Sequence, residues 1–376
     1  MRKALILTVA MIFAMAGFAA ADASLDGLSV KAELFIEGVT QDLGAATYTN
    51  AAGEKVAYDK AGEYLNGRGR FWFNYTKNDW KGALTLEIGE FTSYAGKTGG
   101  YLGTTTARDG KAIEVKHLYV AGPLGPLTLS AGLQPIALGY GTILDEDYVA
   151  LAAGAKVGAG NLLLAYIKHA ETLYADEDVT CFAITYGGTF GGITLKPYAI
   201  YGLNESAADD FYFIGVPFGG KFGMVDVKAA FDYVGGEFGG TKDLSDFSLW
   251  AKAMVGLGAA NVYVEGGYST EFMKNIDENI TYDIVFEDRA RGTMGLKNIT
   301  FGKIGANMTM GALLLDAAII YDTYTEGKSI GTEVDLKATY KVADNVVVEA
   351  GYGYLLAGDA LPDDQYKGYW KATYKY

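Results

Sequence analysis

Residues 366–376 read Tyr366-Lys-Gly-Tyr-Trp-Lys-Ala-Thr-Tyr-Lys-Tyr376. Tyr366, Gly368, Trp370, Ala372, Tyr374 and Tyr376 occupy one set of alternate positions. Lys367, Tyr369, Lys371, Thr373 and Lys375 occupy the other. Side chains alternate faces along a strand, so this stretch is a strand with one aromatic face and one lysine face. A strand that is apolar on one side and charged on the other suits a wall with lipid outside and water inside.

The same two-residue period recurs upstream. Leu28, Val30, Ala32, Leu34 and Ile36 alternate with Ser29, Lys31, Glu33, Phe35 and Glu37. Leu65, Gly67, Gly69, Phe71 and Phe73 oppose Asn66, Arg68, Arg70, Trp72 and Asn74. Trp80, Gly82, Leu84, Leu86 and Ile88 point outward against Lys81, Thr85 and Glu87. The next strand runs from about Ala112 to Ala121, with Glu114 and Lys116 inward and His117 outward by phase. Val225 to Tyr233 and Val334 to Tyr340 alternate as cleanly. Compact turns such as Lys77-Asn78-Asp79 and Gly122-Pro-Leu-Gly-Pro126 take turns with long polar stretches, 41–62 and 91–111. Short turns on one rim and long loops on the other predict a transmembrane antiparallel β-barrel of about sixteen to eighteen strands, with short periplasmic turns and long outer loops. Pro197 falls inside a strand and predicts a bulge, because it removes a ladder hydrogen bond. The acidic stretch Phe272–Asp288 reads as another outer loop.

Met1-Arg2-Lys3 followed by the apolar run Ala4–Phe18 and small residues at 19–23 has the pattern of a secretory signal peptide. The apolar run is too short to span a membrane as a helix. The leader is expected to be residues 1–21, with cleavage before Asp22 or Ser24. Residues 22–376 then form a single barrel domain.

Composition narrows the functional classes. Losing Arg2 and Lys3 takes the net charge from −14 to about −16, which argues against nucleic-acid binding. It also suggests a cation preference if the chain encloses a pore. The lone cysteine, Cys181, forms no internal disulfide, and His117 and His169 are too few for a histidine-rich metal site. No cofactor is implied. An enzyme would need a nucleophile or activated water beside a histidine. His169, next to Glu171, is the one plausible catalytic histidine, and no serine stands out as its partner.

The aromatic closing strand and the alternation throughout resemble bacterial outer-membrane general porins, the trimeric β-barrel porin family. The chain is also similar to the outer-membrane-protein-beta porins of togate thermophilic bacteria. The resemblance implies localisation in the outer membrane and passive diffusion of small hydrophilic solutes and ions. It further implies a homotrimer among outer-membrane lipids, and a last strand read by the barrel-insertion machinery. In that family the third loop folds into the barrel and faces a basic cluster on early strands. Here the stretch Pro135–Asp147 takes that place, so Asp145, Glu146 and Asp147 would face Arg68, Arg70 and Lys116 across a constriction. The same acids equally suit a solvated outer loop.

Two other functions remain open from the sequence. A substrate-specific, sugar-type channel would use lumen aromatics, and Trp72, Tyr119, Tyr198, Trp250, Tyr263 and Tyr369 could supply them, although Tyr and Trp also gather at membrane rims. A structural surface barrel would carry the same pattern and conduct nothing.

Overall fold

The structure is a computed structural model. It describes residues 27–42, 45–49, 55–59, 62–94, 113–138, 144–170, 179–204, 209–238, 241–270, 284–285, 299–324, 327–361 and 363–376. The leader expected at 1–21 and the site around Glu171 lie outside the described residues.

The strands in chain order are β1 (Leu28–Asp42), a small separate hairpin of β2 (Ala45–Thr49) and β3 (Lys55–Asp59), β4 (Gly62–Lys77), β5 (Trp80–Tyr94), β6 (Ile113–Leu124), β7 (Leu127–Leu138), β8 (Leu144–Val157), β9 (Gly160–Ala170) and β10 (Val179–Phe190). Next come β11 (Ile193–Leu195), β12 (Tyr198–Asn204), β13 (Asp209–Gly215), β14 (Phe218–Phe222), β15 (Val225–Phe238), β16 (Thr241–Leu257) and β17 (Ala260–Ser269). The last are β18 (Ile299–Met310), β19 (Leu313–Tyr324), β20 (Ser329–Ala343), β21 (Val346–Ala357) and β22 (Gln365–Lys375).

Apart from the β2–β3 hairpin, each strand pairs antiparallel with its neighbours in sequence, and β22 returns to pair with β1 from Glu33↔Lys375 to Asp42↔Tyr366. Ala32 and Tyr376 exchange both backbone hydrogen bonds at the seam. β11 and β12 are one strand interrupted at Lys196–Pro197, and β13 and β14 are one strand interrupted at Val216–Pro217. The twenty segments of the main sheet therefore form a closed barrel of eighteen strands. Closure satisfies every wall strand, which lipid requires because an unpaired N–H there costs several kcal/mol. The bulge expected at Pro197 is this interruption. Tyr186 N donates to Pro197 O and Lys196 N to Pro217 O, so the ladder crosses the gap through carbonyls the prolines still possess.

All eight turns on one rim contain two residues. Asn78–Asp79 and Gly191–Gly192 have positive φ at both positions, as a type I′ hairpin requires. Gly125, Gly158, Gly223, Gly258 and Gly311 supply positive φ at the first position of five more. The opposite rim carries the longer connections, up to the stretch 270–298.

The alternation read from the sequence sets the two faces. Val30, Leu118, Val120, Leu151, Val264, Ile304, Leu336 and Trp370 are exposed on the outside. The pairing register places the other phase inside. The inner face has three characters. On β1, β4–β6 and β22 it is charged. On β8–β13 it is an apolar cluster that includes Ile167, Cys181, Ile200 and Phe211. On β15–β21 it is rich in buried carboxylates.

Candidate functional site: the lumen wall

The charged arc begins at the closing seam. Cross-strand pairing sets Phe35 between Thr373 and Arg68, Glu33 beside Arg70, and Arg70 opposite Glu87. The Phe35 ring carries a cation on either side, Lys371 Nζ at 4.4 Å and the Arg68 guanidinium at 5.0 Å from its centroid. A ring face attracts cations through its quadrupole. Arg70 donates from Nε and Nη2 to Glu87 Oε2, and Arg68 lies 3.6 Å from the same oxygen. Lys375 pairs with Glu33 at 2.9 Å, and Lys116 with Glu114 at 3.2 Å. The Arg68 and Arg70 side chains remain 26% and 28% exposed. Such half-wet pairs contribute on the order of 1 kcal/mol or less to stability, so their larger effect is on the field inside the barrel.

A register shift between Thr85 and Leu86 changes the reading of β6. Thr85 pairs with His117, whereas Leu86 pairs with Val115, so Lys116 is an extra residue. A bulge of this kind breaks the alternation. His117, expected on the outward phase, therefore faces inward. Its Nδ1 lies 2.8 Å from Thr85 Oγ1 and its Nε2 lies 2.9 Å from Asp147 Oδ1. The line-up of hydroxyl, imidazole and carboxylate has the order of a catalytic triad. Thr85, however, is 1% exposed, so its hydroxyl is closed to a substrate and serves to hold the ring.

The six constriction candidates separate. Arg68, Arg70 and Lys116 lie on this arc, but the arginines face Glu87 and Lys116 faces Glu114. Asp147 reaches the cluster through His117. Asp145 and Glu146 pair through the backbone with Ala137 and Ile136, and their side chains lie outside the described residues. Much of the stretch Pro135–Asp147 is strand, since β7 continues to Leu138 and β8 starts at Leu144.

Elsewhere around the inner face the aromatics use their polar tips. Tyr198 OH donates to Asp232, Trp250 Nε1 to Glu265, Tyr263 OH to Asp316 and Tyr369 OH to Glu349. Lys252 pairs with Glu265 and sits over the Tyr263 ring at 4.7 Å. Trp72 and Tyr119 also face inward by register.

The acids of β20 hold something else. Ile284 N donates to Asp335 Oδ2 at 3.2 Å, and Val285 N donates to Glu333 Oε1 at 2.6 Å. Val285 packs on Leu355 and Leu361. Gly353 makes room for the contact, because a Cβ there would stand 2.7 Å from Ile284 Cβ and 2.6 Å from Asp335 Oδ1. Residues 284–285 thus lie inside the barrel. The stretch Phe272–Asp288 belongs to a connection on the long-loop rim, as expected, but these two residues turn into the barrel instead of standing outside it. The signal in the sequence was the apolar triplet Ile284-Val-Phe286 within an acidic run. Among the described residues no group of three or more His, Cys, Asp or Glu side chains is placed to hold a metal ion.

No protein-family model matches the chain, and no curated protein is similar to it. Solved structures are. OccK9 (OpdG) of Pseudomonas aeruginosa superposes with a TM-score of 0.62 at 11% identity, over 93% of this chain and 98% of that one. OccAB4 of Acinetobacter baumannii gives 0.60 at 9% identity, with the same coverage. OpdK of Pseudomonas aeruginosa, in a structure with vanillate, gives 0.57 at 9% identity, again over 93% and 98%. These likenesses extend over nearly the whole of each chain and show a shared barrel fold.

Proposed function

We propose that this barrel is an outer-membrane channel that passes small hydrophilic solutes and selects among them by contact with its lumen wall. The carrying observation is the charged arc on β22, β1 and β4–β6. An eighteen-strand wall is wide enough to enclose water, whereas eight strands are filled by their own side chains. On this arc the cations and carboxylates stay partly exposed inside an outer surface that is apolar. Charges so placed need water beside them.

Selectivity fits better than unrestricted diffusion. Fixed ion pairs and an aromatic ring between two cations offer a solute defined contacts. Residues 284–285 occupy lumen space against β20, two strands from the edge of the charged arc at β22. One protein of the same fold, OpdK, is described as an outer membrane protein and has been seen with vanillate. Reconstituted protein should therefore show conductance that saturates with, and is blocked by, a preferred solute. A panel of a monosaccharide, a disaccharide and vanillate is the test. Conductance blocked by none of them would favour a general diffusion porin with a cation preference.

The further parts of the proposal rest on the sequence and on the outer face. A cleaved leader, residues 1–21, directs export, and β22 with its aromatic outer face is the strand the insertion machinery reads. The likeness to the togate porins rests on the sequence pattern. The protein assembles as a homotrimer. The outward faces of β6–β8 carry Leu118, Val120, Leu151 and similar aliphatics without an aromatic among them, whereas Tyr166, Phe182, Tyr201 and Tyr212 begin a belt from β9 onward. Interface aromatics mark contact with lipid headgroups, so the β6–β8 sector suits contact with another copy.

A further inference from the structure

We infer that His117 is a positioning residue that holds the Asp147 carboxylate inside the lumen, where it balances the cations of the charged arc. The inference rests on the channel reading for its consequence, though not for its geometry.

Tyr148 is buried on the inner face, and Val149 is 49% exposed on the outer face. Continuing that alternation would turn Asp147 outward, where lipid makes a carboxylate costly. Instead its Oδ1 meets His117 Nε2 at 2.9 Å. β7 lies between β6 and β8, so this bond spans a whole strand. Beneath it Gln134 of β7 is buried and spends its amide on Ala150 O at 2.9 Å, leaving the wall closed under the imidazole.

The imidazole is itself fixed from behind. An ionised carboxylate only accepts, so Nε2 carries the proton and donates to Asp147. Nδ1 meets the Thr85 hydroxyl at 2.8 Å, which can serve in either role. The bulge at Lys116 gives the ring its inward aim, and the buried threonine fixes its rotation. A hydrogen bond to the second ring nitrogen commonly orients a histidine in this way.

Around this bond Arg68, Arg70 and Lys116 face Glu87 and Glu114, three cations against two carboxylates. Asp147 is the third carboxylate. Its side chain is 25% exposed, so it is open to lumen water while held. Taking it away leaves the cluster with an excess positive charge. In water a unit charge about 7 Å from a passing ion changes its local concentration roughly threefold.

The test is the reversal potential in a salt gradient, recorded in planar bilayers for the native protein, Asp147→Asn, His117→Phe, His117→Gln and the Asp147→Asn/His117→Phe double variant. Asp147→Asn should move the cation-to-anion permeability ratio toward anions by about sevenfold, roughly threefold from each ion. His117→Phe should reproduce that shift, and the double variant should add nothing further. His117→Gln, whose amide can donate to Asp147 and accept from Thr85, should keep most of the native ratio. Amide hydrogen exchange over residues 144–150 supplies a second reading that needs no current. His117→Phe should speed it by about tenfold, the loss of one hydrogen bond, and His117→Gln should not. A shift with Asp147→Asn that His117→Phe fails to reproduce, or unchanged exchange in His117→Phe, overturns the inference. A native protein that carries no current defeats the channel proposal, and the exchange measurement then decides the role of His117 alone.

Discussion

Two arcs of one wall use the same kinds of residue to different ends. On β22, β1 and β4–β6 the inner carboxylates pair with half-exposed cations and border the lumen. On β20 the carboxylates of Glu333 and Asp335 are 0% and 5% exposed, because protein covers them and donates backbone N–H groups to them. Strand alternation made both arcs polar. Whether a polar wall faces solute or holds a segment of the chain depends on what meets it. The first arc meets side-chain cations from neighbouring strands, a local matter of register. The second meets a segment brought from the longest connection in the chain.

The largest expected effect comes from taking away the second arc's acceptors. Glu333→Ala with Asp335→Ala removes the acceptors for Ile284 N and Val285 N. Hydrogen bonds to charged groups are each worth about 1.5–3 kcal/mol. The double variant should unfold at lower denaturant and show larger single-channel conductance. If conductance is unchanged, residues 284–285 do not limit the path. Gly353→Val reaches the same contact by steric means and leaves the charges alone, since a Cβ at 353 meets Ile284. It should raise conductance in the same direction by a smaller amount. Opposite signs for the two variants would show that charge, not occupancy, sets the current.

On the first arc, Arg70→Ala leaves Glu87, 8% exposed, without its main donor. The loss should be about 1–2 kcal/mol, at the low end for a buried acceptor because Arg70 is itself partly wet. The permeability ratio should move toward cations, opposite to the shift expected for Asp147→Asn. Arg70→Lys keeps the charge and should keep the ratio while losing the paired donors.

The smallest effect belongs to the rim. Asp364 accepts from Ala357 N and from the Tyr354 hydroxyl, each at 2.9 Å, and the backbone bond first, then the hydroxyl, holds its carboxyl below the usual range. A lowered carboxyl stabilises the fold above its ordinary value, and that contribution is lost as pH falls through the lowered one. Asp364→Asn should therefore remove a small acid-side slope from thermal stability and leave conductance untouched. A changed conductance would place this rim in the solute path.

The barrel was legible in the sequence wherever alternation ran unbroken. The phases read for β1, β4, β5 and β22 are those of the structure, down to Trp370 outward and Lys371 inward. Strand number was legible to within one hairpin, sixteen to eighteen, and the strand through Pro197 was read as one strand with an irregularity, as it is. Bulges without a proline to mark them were not legible at all. One extra residue at Lys116 reverses the phase beyond it, and nothing in Glu114-Val-Lys-His117 announces the insertion. That single residue hid His117, and with it the partner of Asp147. The inward course of residues 284–285 was hidden for another reason. Acidic composition predicts solvation, and both lumen and exterior are wet, so composition cannot choose between them.

The central claim is a continuous water path along the charged arc, and single-channel recording of the folded native protein in planar bilayers tests it most directly. Discrete current steps that a preferred solute blocks in a saturable manner are the predicted result. A folded, inserted barrel that seals the bilayer without current would contradict it.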